Sequence, residues 1–190
     1  TGGLIVASNH LSFIDSMAIP VCAPRPVRFI AKDTYWKQSG LKGKALKNFF
    51  EFVQAVPVDR ESPRAAQESL DVALTVLQAG EAFGIYPEGT RSLDGALHKG
   101  RTGVGWLALE SGVPVVPVGL VGTDRMQPVG TRWPRPTRIT VRFGKPMTFG
   151  QYADLPPGKA RRLITDDVMN AIGALSGQKR SGTFSALPTA

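Results

Sequence analysis

The chain is poor in the residues that build redox and metal chemistry. One cysteine, Cys22, stands among 190 residues. A single thiol excludes an internal disulfide and a cysteine-built metal cluster. Two histidines, His10 and His98, are too few for a histidine-rich site, so no metal is expected. No run of 18 or more apolar residues occurs, which excludes a spanning helix within this sequence. Acidic residues are scarce beside basic ones: 15 Asp and Glu against 23 Lys and Arg, a net charge of +8. That balance favours anionic partners such as phospholipid head groups, nucleic acid or phosphorylated substrates.

What is present fits one globular domain. With 42% hydrophobic and 20% charged residues, the chain can bury a core of ordinary composition. Short apolar stretches alternate with helix-like ones. Strands are expected at 4–7, 28–30, 56–58, 82–86, 113–118 and 139–143. Helices are expected at 12–19, 41–52, 63–79, 102–111 and 159–175. The helix over 63–79 is the best marked. Ser62 is its N-cap, Pro63 its first residue, Leu70, Leu74 and Leu77 share one face, and Gly80 stops it. The alternation implies an α/β fold with a mostly parallel sheet flanked by helices. The domain is expected over 1–177, with 178–190 a flexible tail rich in small and polar residues. The strand at 4–7 starts abruptly, which points to further residues upstream of Thr1.

Two heptads carry the chemistry. Residues 9–15 read Asn-His-Leu-Ser-Phe-Ile-Asp, and residues 86–92 read Tyr-Pro-Glu-Gly-Thr-Arg-Ser. In the first, His10 leaves a strand and Asp15 falls in the first turn of the next helix, with Ser12 as its N-cap. Asp15 can accept the Nδ1 proton of His10 and leave Nε2 free as a general base. A capping box between Ser12 and Asp15 is an equally simple and compatible reading. Ser12 and Ser16 are possible nucleophiles, but no Gly-x-Ser-x-Gly elbow surrounds either. Direct attack by an acceptor hydroxyl is therefore favoured. The oxyanion donor stays open between backbone amides near Asn9 and those at the helix start. In the second heptad, Gly89 permits a positive φ or a close approach. Arg91 then offers a rigid fork of donors suited to a phosphate monoester. Thr90 and Ser92 add hydroxyls, and Glu88 can hold Arg91 or touch a substrate hydroxyl.

His-x4-Asp followed by Glu-Gly-Thr-Arg-Ser resembles the glycerolipid acyltransferases, specifically the 1-acylglycerol-3-phosphate acyltransferases. The resemblance covers about residues 5–120. It implies that His10 activates the acceptor, that Asp15 supports His10, and that Glu88, Gly89, Thr90 and Arg91 bind substrate. Val56-Pro57-Val58-Asp59-Arg60 resembles the block that brings a second arginine, here Arg60, to the phosphate. Val113–Val118 resembles the apolar strand that frames the site. His98-Lys99-Gly100 stands where many relatives have Phe-Lys-Gly, so Lys99 is a further phosphate candidate and the role of His98 stays open. The implied fold is the single-domain glycerolipid acyltransferase-like one. The implied reaction moves a fatty acyl group from acyl-CoA or acyl carrier protein to the sn-2 hydroxyl of 1-acylglycerol 3-phosphate (lysophosphatidic acid), giving phosphatidic acid for phospholipid biosynthesis. It needs no bound cofactor.

Residues 32–52 place Lys32, Lys37, Lys42, Lys44 and Lys47 among seven aromatic and leucine side chains. Such a segment reads as one lying on an anionic membrane surface, or as an amphipathic helix with its lysines in water. The expected place of work is the cytoplasmic face of the cell membrane, peripherally, with no nucleic acid involved. Another acceptor of the same chemistry (glycerol 3-phosphate, a lysophospholipid or an amino lipid) is the nearest alternative. A catalytically silent lipid-binding or nucleic-acid-binding module is the alternative from a different class.

Overall fold

The computed structural model describes residues 2–32, 40, 44, 48, 51, 55–58, 64–131 and 133–186. Six strands form one sheet: β1 (Leu4–Ser8), β2 (Val27–Lys32), β3 (Val56–Val58), β4 (Ala82–Ile85), β5 (Val115–Val121) and β6 (Thr140–Phe143). Their spatial order is β3-β2-β4-β1-β5-β6. Every neighbouring pair is parallel except β5 with β6, which is antiparallel. The helices are α1 (Asp15–Cys22), α2 (Ala65–Gln78), α3 (Gly103–Ser111), α4 (Thr123–Met126) and α5 (Pro157–Ser176). This is the α/β sheet sandwich that the alternating pattern implies.

Side-chain alternation along the strands divides the core in two. Ile5, Ala7, Phe83 and Val115 point to one face and meet α2, α3 and α5 through Leu77, Leu107, Ile164 and Val168. Val6, Ala82, Val116 and Val118 point to the other face and meet α1 through Ala18 and Ile19. The central strands read as continuous apolar runs because they are covered on both sides. The chain leaves β1 and β4, which are neighbours, toward opposite sides of the sheet. In open parallel sheets, that is where a crevice forms at the carboxyl ends of the strands.

Most strand expectations lie within two or three residues of the observed ends. Two differences at the helices have physical causes. α1 starts at Asp15, and its N-cap position is Ile14. Ser12 does not cap it: its hydroxyl donates to the Gln127 carbonyl at 2.8 Å, a partner 115 residues away. α4, a single turn after Gly122, was not expected; four residues are too short to show a period. α2 begins at Ala65, and the expected cap residues Ser62 and Pro63 lie outside the described residues. The segment after Gly177 is laid against the 95–99 loop as far as it is described, where a flexible tail was expected. Leu97 donates to the Lys179 carbonyl at 2.9 Å, Ser181 donates to Leu97 at 3.1 Å, and Lys99 donates to Thr183 at 2.7 Å.

Candidate active site

The site starts where β1 ends. Ser8 and Asn9 are fully buried, and the Asn9 side chain bridges to β5. Its Nδ2 donates to the Leu120 carbonyl at 2.9 Å, and its Oδ1 accepts the Leu120 amide at 2.8 Å. That pair of hydrogen bonds fixes the chain one residue before His10. Nδ2 also donates to Gln178 Oε1 at 2.7 Å.

His10 Nδ1 lies 2.8 Å from Asp15 Oδ2. The same oxygen accepts the amides of Leu11 at 2.6 Å and Ser12 at 2.7 Å. The reciprocal half of a capping box is therefore present, with Asp15 reaching back to the Ser12 amide, while the Ser12 hydroxyl is engaged elsewhere. Asp15 is fully buried, and its Oδ1 has no hydrogen-bond partner among the described residues. His10 keeps 18% of its side chain exposed. The pair thus has a buried carboxylate behind and an imidazole edge facing outward, the arrangement a general base requires.

The second heptad leaves β4 beside it. Gly89 has φ +82°, the left-handed value its turn requires. The Ser92 amide donates to the His10 carbonyl at 2.7 Å, so the loop bearing Arg91 is bonded to the backbone of His10. Glu88 is 1% exposed. Its Oε1 accepts the His10 amide at 3.3 Å and its Oε2 the His98 amide at 2.9 Å. Burial raises its pKa above the ordinary carboxylate value, against the opposing pull of the His98 and His10 amides. Glu88 therefore stitches three loops together from inside. Its two oxygens face amides, not Arg91.

Tyr86 lies flat on the imidazole of His10, ring centroids 3.9 Å apart and planes 9° from parallel. Burial, and next the charge of Asp15, push its phenol well above its ordinary pKa, so it stays protonated. Thr90 and Arg91 are partly exposed, and no hydrogen bond or ion pair engages the Arg91 guanidinium among the described residues. Lys99 is partly exposed, with Nζ 5.3 Å from the centroid of the Phe184 ring. Arg60 lies outside the described residues, as does most of the lysine-aromatic stretch 32–52; Lys44 within it is exposed and helical. The His98 ring bridges Asp94 Oδ1 and Ser181 Oγ, each at 3.0 Å, which gives it a structural task. The sequence leaves backbone amides near Asn9 open as oxyanion donors. Those of His10, Leu11 and Ser12 are occupied by Glu88 and Asp15. Among the described residues, no three His, Cys, Asp or Glu side chains cluster as metal ligands.

The profile of a family described as Acyltransferase matches residues 1–121. The chain belongs to the acyltransferase family. The match spans the same two-thirds of the chain that the motifs cover. A 1-acyl-sn-glycerol-3-phosphate acyltransferase of Limnanthes douglasii is 34% identical over 75% of this chain and 50% of its own length. The chloroplastic 1-acyl-sn-glycerol-3-phosphate acyltransferase BAT2 of Brassica napus is 30% identical over 86% of this chain and 46% of its own. A Bacillus subtilis protein of the same description is 25% identical over 93% of this chain and 82% of its own. The chain spans about half the length of the plant relatives. The crystal structure of PlsC, the 1-acyl-sn-glycerophosphate acyltransferase of Thermotoga maritima, shares the fold. Its TM-score is 0.67 at 24% identity, over 92% of this chain and 66% of that one.

Asn9 and Tyr86 sit inside the two heptads, but their residue types alone do not mark their side chains as part of the site. The only available signal was their adjacency to His10 and Glu88. What they touch, Leu120 and the His10 ring, is 111 and 76 residues away in the chain.

Proposed function

We propose that this acyltransferase moves a fatty acyl group from acyl-CoA or acyl carrier protein to the sn-2 hydroxyl of 1-acylglycerol 3-phosphate, forming phosphatidic acid. The observation that carries the reading is the His10–Asp15 pair, bonded through the His10 carbonyl to the loop that presents Arg91. His10 Nε2 takes the proton of the acceptor hydroxyl as its oxygen attacks the thioester carbonyl. Asp15 fixes the opposite nitrogen and offsets the imidazolium charge. The tetrahedral intermediate collapses, the carbon–sulfur bond breaks, and the thiolate takes the proton back from His10. Arg91, with Arg60 and Lys99, holds the phosphate. Thr90 contributes its hydroxyl, and Gly89 lets the turn close. No resident cofactor takes part.

The relatives named for this acceptor support the choice of substrate, and the net charge of +8 supports work at an anionic membrane surface. Among the described residues, no helix is long and apolar enough to cross a membrane. In this reading the protein acts peripherally at the cytoplasmic face of the cell membrane. The test is a panel of acceptors with one fixed acyl-CoA, reading thiol release. Lysophosphatidic acid should give the highest kcat/KM. A higher value for glycerol 3-phosphate, another lysophospholipid or an amino lipid would reassign the acceptor. No turnover with any acceptor, and none with acyl carrier protein as donor, would leave a binding module.

A further inference from the structure

A column of rings stands behind His10, and it begins at a glycine. Phe29 of β2 and Gly84 of β4 are register partners. A Cβ at position 84 would lie 2.2 Å from Phe29 Cζ and 2.3 Å from Cε1. No side chain larger than hydrogen leaves room for that ring over the strand. Tyr86 follows two residues later, on the same face of the chain. Its ring packs on Phe29, centroids 5.3 Å apart and planes at 26°. On the other side it covers His10 at 3.9 Å and 9°. The Tyr86 hydroxyl lies 2.9 Å from Ser16 Oγ, beside Asp15 at the start of α1.

We propose that Tyr86 is a positioning residue for His10, with Phe29 as its backing and Gly84 as the space that admits Phe29. The proposal rests on the reading of His10 as the general base. Asp15 fixes one edge of the imidazole through Nδ1. One hydrogen bond still allows the ring to tilt about that contact. Tyr86 removes the tilt by covering a face in van der Waals contact. Tyr86 cannot retreat, because Phe29 lies behind it and the β4 backbone behind Phe29. The remaining edge, Nε2, is then held toward the acceptor. When the proton has moved, the imidazolium lies over an aromatic face that attracts it.

The test separates the ring from its hydroxyl and the stack from the activity. Tyr86→Phe keeps the ring; Tyr86→Leu keeps an apolar cover and removes it. By proton NMR, the His10 ring protons of the wild type should be shifted upfield by the tyrosine ring current. Only two histidines need assignment, and His98→Gln assigns them. Tyr86→Phe should keep the shift and most of kcat. Tyr86→Leu should lose the shift and lower kcat on the order of 10–100-fold, the effect of a misplaced catalytic group, with KM for both substrates nearly unchanged. If the leucine variant does not fold, Tyr86→Met takes its place. An unshifted His10 in the wild type overturns the stack. A lost shift with kcat intact, or a loss confined to KM, overturns the positioning role. Equal losses in Tyr86→Phe and Tyr86→Leu assign the effect to the Ser16 bond and overturn the role of the ring. A wild type that transfers no acyl group would refute the functional reading, while the ring shift would still report on the stack.

Discussion

One oxygen of Asp15 holds both His10 and the turn that carries it. Oδ2 accepts the imidazole Nδ1 at 2.8 Å and the amides of Leu11 and Ser12 at 2.6 and 2.7 Å. The carboxylate therefore sets the position of the backbone and the orientation of the ring together, and its charge lies next to the imidazolium that forms in the reaction.

Asp15→Asn separates these roles. An amide oxygen can take the place of Oδ2 and keep all three bonds. The charge is then gone, and an amide NH2 sits at the Oδ1 position, which is buried without a partner. The expected result is a near-native fold with kcat reduced about 10²–10⁴-fold. His10→Ala should remove nearly all turnover with the circular dichroism spectrum unchanged. A folded His10→Ala protein with wild-type rates would refute the base assignment.

Arg91→Lys keeps the positive charge and loses the fork. Acceptor KM should rise about 10-fold, because a point charge cannot replace two parallel hydrogen bonds to phosphate. Donor KM should hold. Steady-state kinetics with each substrate varied in turn decides it. A change confined to the donor would move Arg91 to the acyl-CoA or carrier-protein side.

Asn9→Ala should cost stability before it costs chemistry. It leaves the buried amide and carbonyl of Leu120 unpaired, and each such group costs about 1–3 kcal/mol. A fall in unfolding free energy of about 2–5 kcal/mol is expected by urea titration. A loss under 1 kcal/mol would mean that water takes over both groups and that the β1–β5 clamp matters little.

Two carboxylates give opposite pH signatures. The Ala96 amide, then the His98 ring, hold Asp94 down at about 2. Its stabilising contribution is present above the ordinary value of 3.8 and is lost as pH falls toward about 2. The stability gap between wild type and Asp94→Asn should therefore close on acidification from pH 5. Glu88 is raised by burial, so the folded state holds its proton longer than the unfolded one. That contribution is present below the ordinary value of 4.5 and is lost as pH rises through the raised one. Urea midpoints measured across pH for Asp94→Asn, Glu88→Gln and wild type read both signs. A gap for Asp94→Asn that stays constant down to about pH 2 would place the Asp94 hydrogen bonds outside the folding equilibrium.

The sequence alone determined the strand pattern, the α/β class and the pairing of His10 with Asp15. All three depend on neighbours no more than a few residues apart. Apolar runs of three to six residues bounded by Gly, Pro or charge, alternating with helix-like stretches, allow few alternatives to buried strands. A histidine five residues before an aspartate at a helix start can reach it within one turn. The helix boundaries at Ser12 shifted because a hydroxyl can choose among partners, and its choice, Gln127, is set by how β5 lies beside β1. The same reason hid Glu88, Asn9 and Tyr86. Their residue types permit a substrate contact, a clamp or a ring stack equally well. Only the parallel placement of β4, β1 and β5 decided among these, because it brought the His98 amide, Leu120 and His10 within hydrogen-bond or ring-contact distance.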